Sequence, residues 1–179
     1  MVIFVRVVLA TTVLALGLLA PGVALSAQAA NLDATKAQIA AAISRAEHSR
    51  SLWATVNICN TRRYPLTLGV RGQMPDLGFP AWLSMQIQVN FYSQQKHRFV
   101  AVPKGSMLVR LGRSSHGLQQ GGGTFSFNPH TGLLNAQVKF IWRRSGKLLG
   151  QTTRRTTAGH PNADFGSPPH FSANQCRIR

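Results

Sequence analysis

From Ser51 onward apolar residues return at every second position, and that period limits the folds open to the chain. Leu83, Met85, Ile87, Val89 and Phe91 alternate with Ser84, Gln86, Gln88 and Asn90. Leu52, Ala54, Val56 and Ile58 alternate with Trp53, Thr55, Asn57 and Cys59. The same beat runs through Leu66, Leu68, Val70 and Met74, and through Leu134, Ala136, Val138, Phe140 and Trp142. Successive side chains of a strand leave opposite faces, so this period gives each strand one buried and one wet face. Shorter strands are expected at 98–102, 106–111 and 123–127, and a last one at 171–178. Turn signals separate them: Tyr64-Pro65, Pro75-Asp76, Val102-Pro103-Lys104-Gly105, Gly121-Gly122-Gly123, Asn128-Pro129, Ser145-Gly146 and Ser167-Pro168-Pro169. The expected fold is all-β: an antiparallel β-sandwich over 51–179, immunoglobulin-like in general architecture. A closed β-barrel is the alternative.

Residues 30–50 break the beat. Ala is abundant there, and Leu32, Ile39, Ile43 and Ala46 fall near one helical face, with Asp33 near the positive end of the dipole. A short N-terminal helix is therefore expected ahead of the sandwich. Residues 1–29 read as a secretory signal peptide. Arg6 precedes an apolar run from Val7 to Ala20, then Pro21-Gly22, then Ala27-Gln28-Ala29 as a small-x-small cleavage site. The rival is an uncleaved anchor, but the uninterrupted run falls short of the ~20 residues a span needs. After cleavage no membrane span is expected. Export would place Cys59 and Cys176 in an oxidising compartment, where an even pair most simply forms a disulfide.

Charge excludes much chemistry. The 179 residues hold 20 Lys and Arg but only 4 Asp and Glu, a net charge of +16. Two acids, Asp33 and Glu47, belong to the helical segment, which leaves Asp76 and Asp164 for everything after position 50. Both sit in Pro- and Gly-rich loops, where Asp commonly makes turn contacts. A glycosidase-type carboxylate pair and an acidic cage for calcium or magnesium are thereby disfavoured. No GxSxG elbow supports a serine hydrolase. An apolar content of 44% separates the chain from disordered basic tails.

The densest charge lies in 140–157, which reads as a hairpin about Ser145-Gly146. A two-residue turn pairs Arg144 with Lys147, Lys139 with Thr152 and Gln137 with Arg154. Lys139 and Arg154 would then share the wet face with Thr hydroxyls, and Arg143, Arg144 and Lys147 would crowd the tip. With Arg155, these are the candidate anion-binding residues. One or two Lys or Arg also protect a strand edge from pairing with another chain, which accounts for part of the charge.

Four pieces, LWATVNIC (52–59), GVRGQMP (69–75), RRTTAGH (154–160) and CRIR (176–179), resemble a group of small secreted bacterial proteins with no assigned function. The resemblance covers residues 50–179. It implies export, one domain and the same cysteine pair, and no activity.

Metal is the weaker chemical option. His130, His160 and His170 all lie in Pro/Gly loops, and His116 follows two serines. Loops gathered at one end of a sandwich could bring three imidazoles to zinc or copper, but no pair has ligand spacing. No cofactor is expected. The leading expectation is a secreted, non-enzymatic domain that binds anionic cell-envelope or extracellular polymers. An extracellular metal protein or enzyme built on the loop histidines, and an immunoglobulin-like module with an apolar partner interface, are the alternatives. Sequence-specific nucleic-acid binding is not expected, because no zinc-finger, recognition-helix or aromatic RNA-binding pattern occurs.

Overall fold

The computed structural model describes residues 35–127 and 132–179. The expected signal peptide, Leu32, Asp33 and His130 lie outside the described residues. The element order is α1 (Lys36–Glu47), β1 (Trp53–Cys59), β2 (Thr67–Pro75), β3 (Ala81–Ser93), β4 (Arg98–Ser114), β5 (Leu118–Ser126), β6 (Gly132–Arg144), β7 (Lys147–Arg155) and β8 (Cys176–Ile178). Two antiparallel sheets result, one ordered β1-β2-β5 and one ordered β4-β3-β6-β7, with β8 paired to the far end of β6. The sheets do not close into a barrel, so the fold is the expected sandwich with a short helix before the strands.

The period-two residues meet between the sheets. Val56, Leu68, Val70 and Met74 of the first sheet face Met85, Ile87, Val138 and Phe140 of the second, all essentially without solvent contact. Trp142 is fully buried, and its Nε1 donates to Pro75 O at 3.0 Å, joining one sheet to the other. Burying each large side chain contributes about 1.5–3 kcal/mol, so this double layer supplies most of the stability.

The helix begins at Thr35, whose hydroxyl accepts from Gln38 N while Gln38 Oε1 accepts from Thr35 N. Such a reciprocal box satisfies two of the free N–H groups at a helix start. Ala42, Ile43 and Ala46 form its buried stripe, packed on β7. A Cβ on Gly150 would stand 2.6 Å from Ile43 Cγ2, so β7 needs glycine where the helix lies against it. Cys59 and Cys176 form the disulfide, with Cα atoms 5.3 Å apart and 117 positions between them. It ties the end of β1 to the start of β8.

Several expected boundaries move. The strands expected at 98–102 and 106–111 are one strand, β4, that carries Pro103 through a register irregularity with Lys104 at φ 59°. The Gly121-Gly122-Gly123 run lies inside β5 and is no turn. Its glycines are steric: a Cβ at Gly121 would sit 2.3 Å from Leu111 Cδ2, and one at Gly123 would sit 2.3 Å from Met107 Sδ. The last expected strand shortens to Cys176–Ile178, preceded by a single bridge from Ala173 to Val56.

The segment 156–175 is a strap over the outer face of the first sheet. Thr55 Oγ1 meets Ser172 Oγ at 2.7 Å, Asn57 Nδ2 donates to Asp164 O at 2.8 Å, and Gln120 Nε2 donates to Asn162 O at 3.0 Å. Trp53 stacks on His160 with ring centres 4.6 Å apart. Backbone bonds from Val56, Asn57 and Ala54 to Ala173, Ser167 and Thr157 occupy the outer edge of β1. That edge is therefore closed to pairing with another chain.

Candidate functional site

Among the described residues, the outer face of the second sheet has no such cover. Its outward residues form rows across the strands, fixed by the register. Arg113, Trp82, Arg143 and Leu148 make one row. Arg110, Ser84, Ile141 and Gln151 make the next, then Leu108, Gln86, Lys139 and Thr153, then Ser106, Gln88, Gln137 and Arg155. Five cations stand on this face, and none of the described strands contains an acidic residue. Neighbouring strands lie ~4.8 Å apart, so Arg113 and Arg143 flank Trp82 at one strand's distance each.

Trp82 is 56% exposed, whereas Trp53 is 8% exposed and Trp142 fully buried. Leu108 and Leu148 are also exposed, but the registers separate both from Trp82 with polar or charged residues. The apolar groups are thus interspersed and make no continuous greasy patch of the kind that marks protein interfaces. Two rows along the sheet from Trp82, a depression of about 160 Å³ is lined by Gln86, Gln88, Gln137, Lys139 and Thr153. Gln86 Nε2 donates to Ser106 Oγ at 3.4 Å, and Gln88 Nε2 to Val89 O at 2.8 Å and Val102 O at 3.2 Å. These bonds hold both amides by their nitrogens and leave the oxygens for an incoming donor.

The six candidate cations divide. Lys139, Arg143 and Arg155 belong to the open face. Lys147 pairs with Arg144 at the hairpin tip, as expected, where Ser145 and Gly146 both have positive φ, 47° and 77°. Two-residue hairpins favour such primed turns because their twist matches that of the strands. Arg144 lies over the Phe79 ring, 5.6 Å from its centre. The rest of the expected register is corrected. A bulge between Trp142 and Arg143 shifts the strands by one, so Lys139 pairs with Thr153 and Gln137 with Arg155. Arg154 consequently pairs with Val138 and leaves the face of Lys139; its guanidinium donates to Glu47 O at the end of α1. A cation there complements the negative end of the helix dipole.

The described histidines do not converge. The His160 ring lies against Trp53, 3.0 Å from Thr157 Oγ1 through Nε2, and burial lowers its pKa. His170 donates from Nδ1 to Pro161 O at 3.0 Å, and His116 bonds Ser115 at an exposed turn. Among the described residues, no three His, Cys, Asp or Glu side chains are grouped to hold a metal ion.

A second concavity, about 210 Å³, opens between strap and first sheet, with Arg71, Tyr64, Thr124 and Phe165 in its wall. The Arg71 guanidinium lies 4.9 Å from the centre of the Phe165 ring. Burial lowers its pKa and the nearby Asp164 partly offsets that. Its Nε is buried without a hydrogen-bond partner, while the guanidinium lies over that ring and in the field of that carboxylate.

The sequence reading passed over Trp82, Arg110 and Arg113. The signal for Trp82 was present: it falls in the wet phase of β3, with Ser84, Gln86 and Gln88. Arg110 and Arg113 needed the pairing of β4 to be placed.

No family model and no curated protein matches the chain. Among solved structures, a candidate beta-galactosidase from Bacteroides fragilis is similar over 62% of this chain at 16% identity, with a TM-score of 0.33. The likeness spans 17% of that protein's own length.

Proposed function

We propose that the protein is an exported, non-enzymatic domain that binds anionic cell-envelope or extracellular polymers through the outer face of its second sheet. The observation that carries this reading is the row Arg113–Trp82–Arg143, set in a face with five cations and no acid. A repeating polyanion meets such a face at several points at once, and each Arg can hold a carboxylate or phosphate in bidentate fashion. The leader-like residues 1–29 and the Cys59–Cys176 bond support export. Among the described residues, no helix is long and apolar enough to cross a membrane.

Cosedimentation with cell-envelope preparations across a salt series tests the reading. Strong binding at low salt should weaken as exposed charges are screened, since the Debye length falls from ~30 Å at 0.01 M to ~10 Å at 0.1 M. The double variant Arg143→Glu, Arg155→Glu should lose at least tenfold in affinity, about 1.4 kcal/mol, and keep its fold. Absence of binding at low salt, or binding indifferent to salt, defeats the electrostatic reading.

A further inference from the structure

Resting on that reading, we infer that the polymer is an acidic polysaccharide, with one sugar ring stacked on Trp82 and its carboxylates on Arg113 and Arg143. Around its depression the open face carries three amides and one cation, Lys139. Gln86, Gln88 and Gln137 stand beside Lys139 there, and Gln86 lies about 13 Å along β3 from Trp82, a span that one polymer chain can bridge. That distribution discriminates between polyanions. A phosphate offers only acceptors, so a depression made for polyphosphate would set further Lys or Arg where the three amides stand. A sugar hydroxyl both donates and accepts, and the amide is the side chain that answers both needs. Because the Gln86 and Gln88 nitrogens are bonded within the sheet, their oxygens accept from hydroxyls. The Gln137 amide, which no described residue engages, has both ends open.

Trp82 carries the second half of the argument. A large ring left 56% exposed between two arginines wants a flat partner with an apolar side. The C–H face of a pyranose is such a partner, and polyphosphate or a glycerol-phosphate chain has none. Single-stranded nucleic acid could also stack, but such binders set several aromatic platforms along a groove. Here the other exposed apolar groups of the face are the aliphatic Leu108 and Leu148. Uronic acids join the two requirements in one unit: a stacking ring and a carboxylate that pairs with Arg in bidentate geometry.

Intrinsic tryptophan emission is the experiment, because Trp82 is the one tryptophan of the three open to solvent. The purified protein is titrated at 0.15 M salt with polyuronate oligosaccharides, a neutral glucan of equal length, inorganic polyphosphate of equal charge and oligo(dT). Polyuronate should change the emission saturably and bind at least tenfold tighter than each of the other three. Trp82→Ala, which removes the reporter and is therefore titrated by calorimetry alongside the wild type, should weaken polyuronate at least tenfold and leave the residual polyphosphate binding unchanged; a retained urea midpoint verifies its fold. Gln137→Ala should weaken polyuronate about threefold. If polyphosphate binds as well as polyuronate, or Trp82→Ala changes nothing, the sugar inference falls while the anionic reading stands. If oligo(dT) binds tightest through Trp82, the inference falls in favour of single-stranded nucleic acid. If no polyanion binds even at low salt, both fall together.

Discussion

The two sheets carry similar residues on their outer faces and put them to different uses. On the first sheet, Trp53, Thr55, Asn57 and Gln120 lie beneath the strap and bond to it. On the second, Trp82, Gln86, Gln88 and Gln137 meet solvent or a shallow depression. A strand face that carries a tryptophan and amides is thus structural on one sheet and available on the other. What separates the two is twenty residues of chain, 156–175, that cover only the first. Substitutions under the strap should therefore cost stability and those on the open face should cost binding.

The most damaging way to disturb this arrangement is to free the end of the strap. Cys176 follows it directly, and the disulfide holds that point to the end of β1. Replacing Cys59 and Cys176 together with serine should lower unfolding free energy by about 2–5 kcal/mol, with ~4.9 the chain-entropy figure for a loop of this length. Urea denaturation measures it. An unchanged midpoint would mean that the strap is held by its hydrogen bonds alone.

A smaller effect compares the two faces directly. Asn57 is buried, and its Nδ2 donates to Asp164 O in the strap. Asn57→Ala removes the donor and strands a carbonyl, at a cost of about 1–3 kcal/mol. Gln86→Ala, in the same strand phase of the other sheet, should change stability by no more than about 0.5 kcal/mol. Equal losses at the two positions would erase the distinction between the faces.

This distinction marks the limit of what the sequence shows. The strands, the buried phase of each and the positive-φ hairpin tip at Ser145-Gly146 are local properties, set by alternation and turn chemistry, and they were legible. The helix stripe of Ile43 and Ala46 was legible for the same reason. Three features depend on contacts between distant residues and were not. The glycines of 121–123 signal a turn by composition, yet they are there for Leu111 and Met107 of the neighbouring strand. The bulge at Arg143 shifts the register by one, and because side chains alternate, that one step sends Arg154 to the helix and away from Lys139. The strap alternates only over 171–175, where a single bridge at Ala173 forms in place of a strand, and no local pattern shows which face the segment covers. Of the candidate site, Lys139, Arg143 and Arg155 are marked by charge, whereas Trp82 precedes the alternating run that starts at Leu83, and only the pairing of β3 with β4 and β6 sets it between two arginines.

The mildest test of the strap is its response to acid. His160 is held between the Trp53 ring and the Thr157 hydroxyl, while its backbone N–H donates to Ser172 Oγ at 2.9 Å. Burial disfavours the imidazolium, so the folded-state pKa lies below the ordinary value of about 6.5. Between those two values the unfolded chain binds more protons than the folded one. Stability therefore rises with pH across that window and is lost as pH falls from about 6.5 toward the folded pKa. His160→Gln keeps a polar group beside Thr157 and removes the titration. The urea midpoint of the wild type should fall more between pH 7 and pH 5 than that of the variant. The proton is taken up by a residue of the strap itself, so amides of 157–173 should lose exchange protection before those of the open sheet. A wild type and variant that fall in parallel would show that the Trp53–His160 stack takes up a proton without loosening the cover.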